Sequence, residues 1–378
     1  MKDSKHHADK KSEPIRFSRE RIIPKGEEWP SEKVFGCIHS YMTSQIHFTK
    51  SWQPVVVTLW AMGTYLHRQF PCYGHLWLNS PTTHSGKSKL LNVLSTLCYR
   101  SSPPQLQPTS AVLFRFPSAV GGTLLIDEVD HLDPNRQSDV IGILNEYLKN
   151  GVVYRNTPSK NKKYALVTYP IYCPKVIAGI ESLPVTLQDR CIRIALHRKT
   201  QAERVQRFMP GDRERMQPLR NQLDAWSTRK AFAIIRAYHD RKSLGVPREV
   251  NDDRVRDILE PLFAVASVLP KHVRKSLCEG AIEISKGRKF EEAESNPVVA
   301  AVQILMTHFP KGQDVWKLRT EEACNLLEEI PGIEDRTKVQ GQLRKLGFRS
   351  QNARIGMNVL RAYRIPKRRL ERLVERYS

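Results

Sequence analysis

An α/β fold with a parallel sheet, followed by a helical stretch and a small basic domain, is what this 378-residue chain predicts, on three observations. Apolar residues 76–78 run through a polar turn into Gly86-Lys87-Ser88 and then into the helix-periodic Leu90, Leu91, Val93, Leu94 and Leu97. A second apolar run, Thr123 to Ile126, follows Gly121-Gly122 and ends in the carboxylates Asp127, Glu128 and Asp130. Between residues 75 and 200 apolar runs alternate with helical stretches, the pattern of parallel strands joined by crossover helices.

The first motif has the strand, turn and helix that a phosphate-binding loop requires. Such a loop wraps backbone N–H groups around a polyphosphate at a helix N-terminus, brings a Lys to the terminal phosphate oxygens and offers a hydroxyl to magnesium. Lys87 and Ser88 match the last two roles, and Pro81, Thr82, Thr83, His84, Ser85, Gly86 and Lys89 complete the candidate ATP-binding segment. Pro81 stands where the usual pattern has a Gly five residues before Gly86, so the Ser80-Pro81 pair has to make the entering turn.

The acidic run reads as a buried strand emptying into a site. Asp127, 40 residues beyond Lys87, would hold Mg2+ together with Ser88, and Glu128 would orient or deprotonate the attacking water. The alternative is a core strand followed by a solvated acidic turn. The phosphate loop upstream, at a spacing natural for one or two βα units, favours the site.

The remaining organisation follows the chain. Residues 1–30 form a flexible basic tail rich in Lys, Ser, Glu and Pro, and residues 31–74 a helical lead-in with apolar residues at helical spacing. Strands are expected at His75 to Leu78, Thr123 to Ile126, Lys175 to Ala178 and Cys191 to Leu196, within an ATPase core spanning 75–200. Residues 152–169 place two β-rich runs around a polar turn, a hairpin whose tip carries Lys160, Lys162 and Lys163. Residues 201–290 are expected to be helical throughout, as a lid broken at Pro210-Gly211 and Gly245-Val246-Pro247.

Residues 297–378 read as three helices, a hairpin and a last helix, the winged form of helix-turn-helix. Lys338, Gln342, Arg344 and Lys345 fall on its third helix, and Arg349, Arg354 and Arg361 on the wing. From Arg336 to Ser378 there are 13 Lys or Arg against two acids, Glu371 and Glu375.

Over the whole chain 61 Lys and Arg oppose 39 Asp and Glu, a net charge of +22 that points to a polyanionic partner, nucleic acid before an anionic membrane surface. With 40% hydrophobic residues the chain can build real cores, and no window approaches the roughly 20 apolar residues of a membrane span. The polar N-terminus has no apolar signal core, so a cytoplasmic protein is expected. Seven scattered cysteines without a Cys-x-x-Cys pair indicate neither a zinc site nor a disulfide framework.

The order of these motifs resembles an AAA+ ATPase. The phrases Leu113-Phe114-Arg115, Leu124 to Asp130, Pro174-Lys175-Val176-Ile177-Ala178-Gly179 and Asp252-Asp253-Arg254 resemble an uncharacterised P-loop family of phages, plasmids and integrated elements, found beside primase or helicase modules. The resemblance covers roughly Trp52 to Tyr377 and implies a homo-oligomer, a hexamer, whose sites are completed by an arginine from the neighbour. Leu187-Gln188-Asp189-Arg190 is similar to the segment that carries this finger, which makes Arg190 the candidate. Arg254 holds the place of the second sensor arginine, with Arg256 as a near alternative. The first sensor, ordinarily a polar residue ending the fourth strand, falls in Ala178-Gly179-Ile180-Glu181-Ser182, where Glu181 is a weak match. The hairpin resembles the pore hairpin of minichromosome-maintenance helicases, which would bring its lysines to single-stranded or forked DNA.

The expected activity is DNA-dependent ATP hydrolysis by a helicase, translocase or loader in the replication of a mobile genetic element, with primase or other replication proteins as further partners. The alternatives are an ATP switch that recruits another DNA enzyme and a nucleotide-gated DNA-binding regulator with little turnover.

Overall fold

The computed structural model describes residues 28–129, 138–158, 164–180, 183–209, 211–295, 297–328, 330, 335–355 and 357–377. The chain divides into two units, Met1–Ile282 and Glu283–Ser378, with the division inside one long helix. The expected N-terminal tail as far as residue 27, Asp130, Glu181 and the hairpin lysines Lys160, Lys162 and Lys163 lie outside the described residues.

The first unit opens with α1 (Ser31–Gln45) and α2 (Trp52–Gly63). α1 buries Val34, Phe35, Ile38, Tyr41 and Met42, a stripe at helical spacing, whereas α2 buries every residue after Trp52 and is a core helix. The last residue of α2 is Gly63, where a Cβ would sit 2.3 Å from the Tyr73 hydroxyl. That close approach lets the Tyr73 hydroxyl donate to the Trp60 carbonyl at 2.6 Å, while Trp60 Nε1 donates to the Gly74 carbonyl at 2.7 Å. The lead-in is thereby fastened to the start of the sheet.

The core continues with β1 (His75–Asn79), α3 (Lys87–Leu97), β2 (Gln105–Leu106), α4 (Ser110–Ala119), β3 (Leu124–Asp127) and α5 (Ser138–Leu144). It is completed by β4 (Val152–Pro158), β5 (Tyr164–Pro170), β6 (Lys175–Gly179), α6 (Val185–Gln188) and β7 (Cys191–Ala195). Five strands form a sheet in the order β2-β3-β6-β1-β7, with every neighbouring pair parallel. β1, β3 and β6 are buried along their whole length, which is why they read as unbroken apolar runs. One face packs on Leu90, Leu91 and Leu94 of α3, and the other gathers Trp77, Leu113, Phe114, Ile126, Ile177 and Leu187. β2 is an edge strand of two half-exposed residues and carries no periodic signal. β4 and β5 pair antiparallel from Val152↔Pro170 to Pro158↔Tyr164, as the expected hairpin.

Four helices follow: α7 (Asp212–Arg215), α8 (Gln217–His239), α9 (Asp253–Ala266) and α10 (Lys271–Ser295). The expectation of helix throughout 201–290 is corrected at its start, where residues 201–209 form no helix. Their polar groups are taken by α1 and α3 instead: Gln206 N donates to the Ser44 carbonyl at 2.8 Å, and the Lys89 ammonium donates to the Gln206 carbonyl.

The second unit adds α11 (Pro297–Thr307), β8 (Val315–Arg319), α12 (Thr320–Leu327), α13 (Arg336–Lys345), β9 (Ser350–Ile355), β10 (Asn358–Pro366) and α14 (Lys367–Tyr377). Its antiparallel sheet has the order β8-β10-β9, and its own core includes Leu305, Leu318, Leu327, Leu343, Phe348 and Tyr363. The Asp335 carboxylate caps α13 by accepting from Lys338 N at 2.8 Å. β8 is a third strand that the sequence does not announce.

Among the described residues no helix is long and apolar enough to cross a membrane, and no cluster of metal-binding side chains occurs. The seven cysteines are free.

Burial of His67 between Tyr99 and Tyr172 pushes its pKa down to about 4. The unfolded chain, with an ordinary His near 6.5, therefore binds more protons than the folded one between those values, and stability falls as pH falls through that window. His67 alone contributes a loss of about 3 kcal/mol. Denaturation of the intact chain at pH 7, 6 and 5 should reveal this decline, and His67→Gln should reduce it, leaving the part due to His75, whose burial also lowers its pKa.

Candidate functional site

Because all five strands run the same way, the loop after β1, the end of β3 and the end of β6 lie on one edge of the sheet. The register makes the alignment close: Trp77 of β1 and Ile126 of β3 both pair with Ile177 of β6. Asp127 is one residue beyond that row and Asn79 two. β3 and β1 are two strands apart, roughly 10 Å, which leaves room for phosphates and a hydrated ion between them.

The loop from Ser80 to Gly86 is shaped by short contacts. The Ser80 hydroxyl donates to the Thr82 carbonyl at 2.8 Å and accepts from Thr82 N at 3.2 Å, so Ser80-Pro81 does make the entering turn. His84 has φ 60 and Gly86 φ 95, and Gly86 is the left-handed residue that launches α3. Pro81, Thr82, Thr83 and His84 are exposed, as is Ser88, while Gly86, Lys87 and Lys89 are half-buried. Lys87 Nζ donates to the Thr82 carbonyl at 3.4 Å, which curls its ammonium over the loop. The Ser85 hydroxyl is buried without a hydrogen-bond partner among the described residues. Lys89 turns away from the loop toward Gln206, where burial and the nearby Lys199 lower its pKa.

Asp127 is 8% exposed, and no described cationic side chain pairs with it. One of its carboxylate oxygens accepts from Glu128 N at 3.0 Å. Glu128 has φ 56, a left-handed conformation that a non-glycine residue adopts at a cost, and its side chain is exposed at the mouth of the edge. The next amide, Val129 N, donates to the Ala178 carbonyl at 3.2 Å.

Asn79 is a further polar residue here, missed by the sequence reading although it ends an apolar strand. It accepts from Arg193 at 2.9 Å and donates to the Ile180 carbonyl at 3.3 Å, tying β7, β1 and β6 together beside the loop. At the expected first-sensor segment, Gly179 ends β6 and Ile180 follows, 38% exposed.

Arg190 and Arg254 are on the opposite edge. Arg190 immediately precedes β7, and its carbonyl accepts from His75 N, the first residue of β1, at 2.9 Å. A five-residue strand separates it from the phosphate loop by roughly 16 Å. Its guanidinium lies over the Tyr147 ring, 5.6 Å from the centroid, and donates to the Thr186 carbonyl. Arg254, in the first turn of α9 behind the Asp252 cap, pairs with Asp189 at 2.9 Å. Arg256 donates to the Val250 carbonyl at 3.1 Å. The fold thus brings Lys87, Ser88, Asp127 and Glu128 to one edge and Arg190 and Arg254 to the other.

The β4–β5 hairpin leans on α4. Tyr169 packs on Phe114 at 4.8 Å, Arg155 lies over the same ring, and Arg155 pairs with Asp139 at 2.8 Å. Its outer face exposes Tyr154 and Leu166.

In the second unit α13 buries Val339 and Leu343 and exposes Lys338, Gln340, Arg344 and Lys345, with Gln342 half-buried. Arg354 pairs across from Val359 and Arg361 across from Asn352, so these side chains share the face that farther along bears the core residues Tyr363 and Ile365. Arg349, Arg354 and Arg361 are exposed. Gln340 and the exposed Arg364 extend the polar and basic surface that the sequence reading had assigned to fewer residues.

No family model matches the chain, and no curated protein does. Among solved structures it is similar to the apo C-terminal region of NrS-1, at 12% identity and a TM-score of 0.46, covering 90% of this chain and 76% of that one. It is also similar to the active helicase Cch of SCCmec type IV, at 10% identity and a TM-score of 0.40, covering 90% and 69%. A JCV helicase with a bound small molecule matches at 14% identity and a TM-score of 0.24, over 73% and 72%. Likeness at these scores carries no argument about this chain.

Since a Cβ on Gly86 would meet nothing within 4 Å, Gly86→Ala isolates the cost of the left-handed backbone. That cost is about 1–2 kcal/mol, and thermal unfolding of the variant should show a melting temperature lower by about 2–8 °C.

Proposed function

We propose that the chain is an AAA+ ATP hydrolase with a C-terminal winged helix-turn-helix, acting on DNA as a ring-forming homo-oligomer, a hexamer. In this reading it works as a helicase, translocase or loader in replication of a mobile element. One observation carries it: Lys87, Ser88, Asp127 and Glu128 converge at one edge of the parallel sheet, while Arg190 stands at the other.

The residues fit a nucleotide with its metal. The buried Ser85 hydroxyl, without a partner among the described residues, and the loop amides offer donors to phosphate, and Asp127 is a buried carboxylate with no cationic partner among the described residues. Ser88 and Asp127 would hold Mg2+, which when bound neutralises charge developing on the phosphoryl oxygens. Lys87 would exchange the Thr82 carbonyl for phosphate oxygens. Glu128, exposed beside Asp127, would orient the attacking water and accept its proton. Arg190, at the far edge of its own sheet, would bring positive charge to the γ-phosphate held by a neighbouring subunit. Arg254, held against Asp189 beside it, would serve the same interface.

DNA contact is assigned to two basic elements. Lys160, Lys162 and Lys163 at the hairpin tip would follow a phosphate backbone. Lys338, Arg344 and Lys345 of α13 would face a major groove, with Arg354 and Arg361 of the wing on phosphates. The charge of residues 336–378 and the exposure of Lys338, Arg344, Lys345, Arg354 and Arg361 support the second assignment.

ATP hydrolysis measured with and without single-stranded and forked DNA tests the enzyme assignment. The intact protein should be stimulated by DNA, and Glu128→Gln or Arg190→Ala should each lower turnover by about 10²-fold or more. Absence of turnover in the intact protein with DNA would overturn it and leave a nucleotide-gated binding protein. Replacing Arg354 and Arg361 by Ala should weaken DNA binding and reduce its log–log salt slope by about two. An unchanged slope would remove these two arginines from the DNA interface.

A further inference from the structure

We propose that Tyr147 is the positioning residue for Arg190, and that the turn carrying it links both feet of the β4–β5 hairpin to the nucleotide site of the neighbouring subunit. The inference rests on the reading of Arg190 as an arginine acting in trans.

Arg190 is held in place from two sides. Its guanidinium stacks on Tyr147 and donates to the Thr186 carbonyl, and Asn145, on the same turn as Tyr147, donates to the Thr186 hydroxyl at 3.2 Å. The 145–148 turn therefore supports both the arginine and the segment leading into it. A cation over an aromatic face is attracted without being locked, so a guanidinium so held keeps its orientation and can still turn toward an anion.

The turn itself is tightly bound. Tyr73 N donates to the Tyr147 carbonyl at 3.0 Å, and Leu148 N donates to the Glu146 carboxylate at 2.7 Å. Lys175, fully buried at the start of β6, donates its ammonium to the Glu146 carbonyl at 2.7 Å. A buried ammonium is tolerated only where its hydrogens find acceptors, and this one spends a hydrogen on the turn.

Both hairpin strands begin or end at this turn. Gly151 N donates to the Leu148 carbonyl at 3.1 Å, and Ile171 N donates to the Gly151 carbonyl at 3.1 Å, just below the first strand pair. A Cβ on Gly151 would lie 2.1 Å from Glu146 Cγ, so a side chain there would have to displace the Glu146 carboxylate from the turn. The incoming strand β4 thus grows out of the turn, and the outgoing strand β5 leads within a few residues to Lys175, which grips the same turn from below. A tilt of the hairpin on DNA would shift Tyr147 under Arg190.

The test uses the full chain and mixed oligomers, with DNA-stimulated ATP hydrolysis as the readout. Lys87→Ala subunits lack a working loop but keep Arg190, and Arg190→Ala subunits have the reverse defect. Mixing them should restore activity that neither has alone; failure would refute the trans reading, and the role of Tyr147 with it. Tyr147→Leu should lower the DNA-stimulated rate by about tenfold, since small misplacements of a catalytic group cost that much or more. Tyr147→Phe should retain it.

Tyr147→Leu should be rescued by Lys87→Ala subunits, which supply a well-held Arg190, and not by Arg190→Ala subunits. Rescue by neither, while the Lys87→Ala and Arg190→Ala pair complements, would mean a general structural defect and overturn the proposal. So would an unaffected Tyr147→Leu.

Discussion

Parallel pairing of β6 with both β1 and β3 is the constraint on which the rest depends. It lines up Trp77, Ile126 and Ile177 in one row, so the residues just beyond that row, the phosphate loop and Asp127, open on the same edge. Parallel pairing of β7 with β1 leaves the entry to β7, with Arg190, on the other. Polarity of the strands alone therefore separates the groups that would hold a nucleotide from the arginine that would complete the site. On the proposed role of Arg190 a second subunit would supply the arginine, since a side chain cannot cross a five-residue strand.

Around this frame the costly features collect at the edges. Glu128 adopts a left-handed conformation, Gly86 supplies another, the Ser85 hydroxyl is buried with no partner among the described residues and the Lys175 side chain is fully buried. Strained or unsatisfied groups persist where surrounding structure over-determines them, and they gather at working sites. Lys175 differs from the others in having found acceptors. Its burial is the anchor of the turn that carries Tyr147.

What the sequence made legible was local. Unbroken apolar runs located the buried strands, Gly-Lys-Ser located the loop, and two β-rich runs about a polar turn located the hairpin. Long-range choices were not legible. β2 and β8 are too short or too mixed in character to announce themselves, and the path of residues 201–209 is set by hydrogen bonds to α1 and α3 that no local pattern encodes. The left-handed Glu128 leaves no mark in composition. Arg254 was read from its place at the start of a helix, but only the fold brings it to Asp189 at the edge away from the loop. Tyr147 carries no motif, and its contact with Arg190 spans some forty residues of chain.

The central claim, that hydrolysis needs parts from two subunits, is tested most directly by the rate of ATP hydrolysis per subunit as the protein is diluted at fixed DNA and saturating ATP. The account predicts that the rate per subunit falls steeply as oligomers dissociate, in step with their loss in sedimentation. A rate per subunit that stays constant down to the monomer would contradict it, because each chain would then be completing its own site.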